Sequence, residues 1–326
     1  MAARLTIAIP TYNRASLLRR ALESALAQTS DQIEIYVSDN GSSDDTADVL
    51  AQYQDKRLRS IRRDTTVTRA RHGTLIFSEV DTELILVLSD DDYIEPEFSR
   101  EIIRLFDEHP DLSFAYTGCV EHYDEFELTA LVGPRTEEPL NFIGALFAGK
   151  RQVSWCACVT RVSDLRRLGP QPEERIIGDM YFWTKIAFQG PVGCVALPIS
   201  HYTVLMPSGD NESKTTPVLE WARDVKRLTE EVTISVRSAS AAAQYQIELK
   251  QSMAKYLARS IANQFLWGRI FGMSRFRCLR LLMPALQIGG WHFDGLTRIA
   301  GALILSRRQI RRLVIWNVAK MSAQRE

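Results

Sequence analysis

Cysteine is scarce. Cys119, Cys156, Cys158, Cys194 and Cys278 form an odd set of five in 326 residues and give no disulfide framework. Cys156 and Cys158 share a face if their segment is a strand, but no second Cys/His pair completes a zinc site, so buried free thiols are expected. Long hydrophobic runs are missing as well. In the C-terminal part the longest stretch without an ionisable side chain is Leu281 to Trp291. A bilayer span needs roughly 20 apolar residues. There is no G-x-G-x-x-G, H-E-x-x-H or G-x-S-x-G. Gly144-Ala-Leu-Phe-Ala-Gly149-Lys150 has phosphate-loop spacing, but Arg151 stands where Ser or Thr is required, and a helix ending at Gly149 fits better. The first residues run directly into a strand-like pattern without a signal-peptide pattern, so a cytoplasmic protein is expected and the sequons at Asn40 and Asn211 have no weight.

What is present is the composition of an ordinary folded protein, 45% hydrophobic and 25% charged. The zero net charge hides an asymmetry. Residues 1–219 hold 22 Lys+Arg against 33 Asp+Glu, and residues 220–326 hold 18 against 7. An acidic body suits a cation site, and a basic tail suits an anionic surface.

The first half alternates strand and helix signals. Leu5–Ile9, Ile33–Val37 and Leu84–Leu88 are short apolar runs of the buried parallel-strand kind. Leu17, Leu18, Ala21, Leu22, Ala25 and Leu26 recur at helical spacing after Asn13 or Ser16, and a helix is expected from Pro96 to Glu108. This alternation predicts an α/β domain with a mostly parallel sheet flanked by helices. Further strands are expected over Leu112–Val120, Val153–Thr160 and Val192–Leu205, the last broken by Pro198, and a helix over Gly178–Phe188. Long helices follow over Leu219–Val236, Ala241–Trp267 and Ile299–Met321, so two regions are expected, 1–215 and 216–326. Trp267, Trp291 and Trp316 lie among arginines in the second. That mixture suits either a helix on an anionic membrane surface or a helical subdomain with a basic face. A nucleic-acid surface ranks last, and no nucleic-acid partner is expected.

Ligands in α/β sheets sit at the carboxyl ends of strands. Pro10-Thr-Tyr-Asn-Arg14, Asp39-Asn40 and Asp90-Asp-Asp92 would gather on that edge. Crowded carboxylates are tolerable when a hard cation such as Mg²⁺ or Mn²⁺ neutralises them. The bland alternative is one helix-capping aspartate and two solvated ones.

Together, Ile9-Pro-Thr-Tyr-Asn-Arg14, Val37-Ser-Asp-Asn-Gly-Ser-Ser-Asp-Asp-Thr46, Ala70-Arg-His72 and Leu88-Ser-Asp-Asp-Asp92 with Pro96 resemble the family 2 glycosyltransferases. The resemblance covers roughly residues 4–205. It implies a GT-A fold and an inverting sugar transfer from a nucleotide-diphosphate-sugar, with UDP the expected nucleotide and Mn²⁺ or Mg²⁺ at the family's aspartates. The "LSDDD" spelling is similar to bacterial members that build lipopolysaccharide and capsule, including abequosyltransferase-like proteins, and so implies a glycan or polyprenyl-linked acceptor at the inner membrane face.

Residue by residue, the resemblance assigns Pro10, Thr11, Tyr12, Arg14, Asp39, Asn40 and Arg71 to the donor nucleotide. Asp90 and Asp91 face ribose and sugar, and Asp92 or Asp91 binds metal. The family's acceptor-activating base follows the second set of strands; Gly178-Asp-Met-Tyr-Phe-Trp183 fits that pattern and points to Asp179, whose alternative is a residue favouring the helix dipole. Trp155 and Trp183 are acceptor candidates. The family's Tyr-Arg-x-His ending is replaced by His201-Tyr-Thr-Val-Leu205, which leaves His201 a metal or phosphate contact or a structural histidine, and the polar loop 207–214 a lid candidate. Competing readings are a nucleotidyltransferase, which predicts a basic glycine-rich loop after the first strand, and a non-catalytic nucleotide-sugar-binding protein.

Overall fold

The computed structural model describes residues 2–123, 127–130, 132–170, 172–173, 176–204, 218–238, 243–270, 273–289, 293–306, 308–310 and 312. Strand β1 (Leu5–Thr11) shows the two-residue alternation of a strand buried on both faces. Leu5, Ile7 and Ile9 enter one layer of core and Ala8 the other. It pairs in parallel with β2 (Ile33–Asp39) on one side and β4 (Leu84–Val87) on the other. Outside β2 lies β3 (Leu58–Arg62), also parallel. The remaining strands are β5 (Tyr93–Ile94), β6 (Phe114–His122), β7 (Glu127–Thr129), β8 (Thr136–Glu137), β9 (Cys158–Arg161) and β10 (Val192–Thr203). The sheet order is β3-β2-β1-β4-β9-β6-β10-β5, with β7 on β6 and β8 on β10. β9 runs antiparallel to both β4 and β6, whereas β6 and β10 are parallel. The sheet is therefore mixed, with its parallel half at the N-terminus.

Helices α1 (Ala15–Leu26), α2 (Thr46–Ala51) and α4 (Phe98–Glu108) belong to one face, where Leu18, Leu22, Ile102 and Leu105 are fully buried. The other face takes α3 (Arg69–Glu79), α5 (Pro139–Phe147), α6 (Val162–Leu168) and α7 (Gly178–Ala187). Helices α8 (Val218–Ser238), α9 (Ala243–Ile270), α10 (Arg275–Gly289) and α11 (Phe293–Ile304) follow. Val225, Phe265 and Ala285 join the same buried cluster as Phe114, Phe142 and Trp183, so these helices are packed onto the second face.

Several elements differ from the sequence expectation. Residues 69–79, for which no helix is expected from the sequence, form α3, with Thr68 accepting from Arg71 N–H as its cap. Residues 155–157 form a single 3₁₀ turn before the four-residue β9, shorter than the strand expected over Val153–Thr160. Pro198 does not break β10. It sits at a register irregularity, where a strand tolerates a missing N–H. Of the last helix expected, Ile299–Met321, residues 299–304 belong to α11, which starts earlier at Phe293, and 313–321 lie outside the described residues, as does the 207–214 loop. All five cysteines are buried and free, with Cys119 and Cys156 Sγ atoms 4.0 Å apart.

Candidate active site

The parallel register places Thr11 beside Asp39 at the carboxyl ends of β1 and β2. The chain then turns through Asn13, the one described non-glycine residue with positive φ, at 52°. Asparagine tolerates that region better than most residues. Its Oδ1 accepts from Ser43 N–H at 2.7 Å and its own N–H donates to Ser42 Oγ at 2.9 Å, which ties the β1 and β2 loops together. Ser42 in turn donates to Asp39 Oδ1 through its N–H (2.9 Å) and its hydroxyl (2.6 Å). Asp39 Oδ2 faces Arg62 at 3.8 Å across an open recess lined by Leu50 and Ile61. Asn40 exchanges two hydrogen bonds with the backbone of Val67, Nδ2 to O at 2.9 Å and N to Oδ1 at 3.0 Å.

The aspartate triplet follows β4, and its three members go to three environments. Asp90 is buried. Its Oδ2 accepts from Thr11 Oγ1 at 2.8 Å and its Oδ1 from Arg14 Nη1 at 2.7 Å. Burial pushes its carboxyl up, and Arg14 and Thr11 oppose that. Asp91 Oδ2 accepts from the same Arg14 nitrogen at 2.9 Å. Asp92 is turned into the protein. Its Oδ1 accepts from Thr203 N–H at 2.8 Å, while Oδ2 is buried without a partner among the described residues. Burial pushes Asp92 to about 7.

Two oxygens on one guanidinium nitrogen, from Asp90 and Asp91, form a convergent donor pair that fits a hard divalent cation. Of Asp92 and Asp91, between which the resemblance left the metal ligand open, Asp91 shares the Arg14 nitrogen with Asp90, while Asp92 turns one oxygen to Thr203 N–H. Among the described residues no group of three or more His, Cys, Asp or Glu is arranged to hold a metal alone. A cation at Asp90 and Asp91 would therefore take its other ligands from a bound diphosphate and water.

Asp179 sits in the first turn of α7, where its Oδ1 accepts from Met180 N–H at 2.8 Å. Its side chain reaches solvent, yet protein surrounds it closely. That crowding pushes its carboxyl up, against the Met180 N–H and the charge of Arg69. The neighbourhood connects to Asp39 through α3: Asn40 holds Val67, and Thr68 donates to Glu173 Oε1 at 3.0 Å. Trp155 makes the second link, between Cys156 of the triplet's surroundings and Phe182 of α7, whose ring centroid is 5.4 Å away.

Other expected residues are placed differently. Tyr12 and Arg71 are exposed, and Arg71 contacts no member of the triplet. Trp183 is 1% exposed and packed against Trp155 and Phe114, which leaves it no surface for an acceptor. His201 engages Glu95 and His122 rather than the triplet, each at 2.9 Å. Arg20 was missed. Its Nη2 donates to the Asp91 carbonyl (2.6 Å) and Thr203 Oγ1 (2.7 Å), and its head lies 4.7 Å over the Tyr93 ring. An arginine on the first helix of an α/β domain has no spacing signal that distinguishes it from a solvated one. Ser42 was legible, being three residues after Asp39 as in a local aspartate turn.

Residues 6–160 match the Glycosyl transferase family 2 model. EpsH of Bacillus subtilis is 27% identical over 213 residues, 63% of this chain and 62% of that protein. An uncharacterized glycosyltransferase of Nostoc is 31% identical over 146 residues, 42% and 44% respectively. The chain thus spans less than two thirds of the length of these relatives. Among solved structures, Staphylococcus aureus TarS in complex with UDP-GlcNAc superposes with a TM-score of 0.62 at 15% identity, over 88% of this chain and 89% of that one. The mannosyltransferase PcManGT of Pyrobaculum calidifontis, in complex with GDP-Man and Mn²⁺, gives 0.56 at 16% identity, over 93% and 87%. At such identities these structures share the fold, helical C-terminal region included. The match to the family 2 model spans residues 6–160, a little under half of the chain.

Proposed function

We propose that the chain is an inverting glycosyltransferase that moves a sugar from a nucleotide diphosphate, UDP first among them, to a hydroxyl of a glycan or polyprenyl-linked acceptor in surface-polysaccharide synthesis. The observation that carries the reading is the Thr11–Asp90–Arg14–Asp91 constellation beside Asp39, inside the stretch that matches the family model. TarS and PcManGT, which share the fold, were solved with UDP-GlcNAc and GDP-Man respectively.

Asp39 is held rigidly by Ser42 with one oxygen left toward the recess, where it accepts a hydrogen bond from the base or ribose. Thr11 and Arg14 fix Asp90 and Asp91 in one orientation, and so avoid the reorganisation that a loose acidic loop would need. Asp90 and Asp91, whose converging oxygens now share Arg14 Nη1, are the residues that would hold Mn²⁺ or Mg²⁺, and the ion would there neutralise charge on the departing diphosphate. Asp179, with its carboxyl pushed up by its surroundings, accepts the proton of the acceptor hydroxyl. Where the acceptor is the polyprenyl-linked one, the reaction takes place at the cytoplasmic face of the membrane.

The test is a panel of nucleotide-sugars with Mn²⁺, read by nucleotide release and by thermal shift. One donor is expected to raise the melting temperature and to be turned over. Transfer that survives both Asp91→Ala and Asp179→Ala would sink the proposal.

A further inference from the structure

Helix α10 has a face that no other described residue covers. Phe276, Leu279 and Met283 are 70%, 55% and 53% exposed. Their spacing of three and four residues lines them along one stripe of the helix. The opposite side is the packed one: Cys278, Ala285 and Gly289 are buried, and a side chain at Gly289 would run into Ile261 of α9. The stripe continues past the helix. Arg275 donates to the carbonyl of Ile304 at 2.8 Å, which brings the end of α11 alongside, and Ile304 is 73% exposed.

Arg275, Arg277 and Arg280 flank this stripe on α10 and are exposed, as are Arg308 and Arg312 after α11. Residues 268–312 contain nine arginines, no lysine and one carboxylate, Asp294. Arg269 is different in kind, since it is buried and donates to the carbonyls of Ala302 and Met273, a structural use. Arg275 also serves the packing, donating to the carbonyls of Ile304 and Leu305, so the four exposed heads of Arg277, Arg280, Arg308 and Arg312 carry the charge beyond what the packing needs.

We propose that the α10 face, with Ile304, docks on an anionic lipid surface, the apolar stripe entering the acyl boundary and the arginines meeting headgroup phosphates. Charge decides against a second copy of the chain, because two such faces would repel. Nucleic acid would satisfy the arginines but offers no apolar surface to Leu279 and Met283. Among the described residues no helix is long and apolar enough to cross a membrane, so the contact is with one leaflet. The inference rests on α10 alone and stands independently of the transfer reaction.

Flotation of the full chain with phosphatidylcholine vesicles, with and without phosphatidylglycerol, tests it. Binding is expected only with the anionic lipid and is expected to weaken with salt. Phe276→Ser/Leu279→Ser/Met283→Ser should lose about tenfold or more in affinity with the charge intact. Arg277→Glu/Arg280→Glu should lose about twentyfold or more. The substituted side chains are exposed, and circular-dichroism melts matching the parent confirm that the variants fold. Equal flotation of parent and triple-serine variant, retention of single-stranded RNA in place of vesicles, or a concentration-dependent dimer abolished by the serine variant would each overturn the assignment.

Discussion

The ring nitrogens of His122 and His201 face each other at 2.9 Å, Nε2 against Nδ1, at the end of β6 and β10. Glu95 of the β5 loop accepts or shares a proton with His201 Nε2, and Glu127 of β7 does so with His122 Nδ1, both at 2.9 Å. Tyr93 stacks on His201 with centroids 4.2 Å apart and carries Arg20 on its other side. Burial pushes His201 down, and so does the charge of His122, while Glu95 opposes. A histidine with a lowered folded-state value binds fewer protons folded than unfolded. Stability is then fully present above the unfolded value near 6.5 and is lost as pH falls below it. Asp92, pushed up to about 7, acts in the opposite sense over the same range, so the decline is read as a difference: in urea denaturation from pH 8 to pH 5 the parent should lose stability relative to His201→Gln. An unchanged slope in the variant would show that His201 does not titrate on unfolding.

Asp179 gives a prediction on activity instead. Its carboxyl is pushed up by the protein around it, so the acidic limb of kcat/KM should lie above the usual carboxylate range, with activity rising as Asp179 loses its proton. Asp179→Asn should bind donor with near-parental affinity and lose at least ~100-fold in kcat, the low end of what a general base contributes. A parental pH profile in a slow but active Asp179→Asn variant would assign the limb to another group.

Arg14 separates the roles of charge and cation at the triplet. It bridges Asp90 and Asp91, and its removal leaves Asp90 buried with only Thr11 as partner. Breaking a buried pair costs ~3–5 kcal/mol, and the partial exposure of the Arg14 head brings the expected loss for Arg14→Ala to about 2 kcal/mol. Mn²⁺ should recover part of that loss, since a divalent ion can replace the guanidinium between the two carboxylates. Chelation should leave the stability of the parent unchanged and that of Arg14→Ala at its minimum. Thermal melts with and without Mn²⁺ read both effects.

The donor-side loops were legible because their chemistry is local. Asp39, Asn40 and the triplet each follow an apolar strand, and a parallel sheet must bring such strand ends to one edge. Strand β3 was not legible, since Leu58-Arg-Ser-Ile-Arg62 is an edge strand whose arginines mask its alternation. Helix α10 was hidden by Pro284 within it and by a stripe that is apolar on both its packed and its exposed side. The division of labour inside the triplet could not be read at all. Three identical residues in a row have one sequence signature, and only the backbone turn decides that Asp90 meets Thr11 while Asp92 turns toward Thr203.

Trp183 provides the last prediction, on stability. Its ring is buried against Phe114, with centroids 6.0 Å apart, and against Trp155 at 4.6 Å. Its Nε1 has no partner among the described residues, although the indole N–H of a buried tryptophan ordinarily finds one. Trp183→Ala removes a whole core ring and should cost ~3–5 kcal/mol. Trp183→Phe loses volume but also removes the unsatisfied N–H, whose burial carries a penalty of ~1–3 kcal/mol. The two effects oppose, so Trp183→Phe should stay within about 1 kcal/mol of the parent. Both variants should keep the parental KM for acceptor wherever they remain folded, because the ring has no surface to offer a substrate. A raised acceptor KM in Trp183→Phe with unchanged stability would restore the tryptophan to the acceptor site.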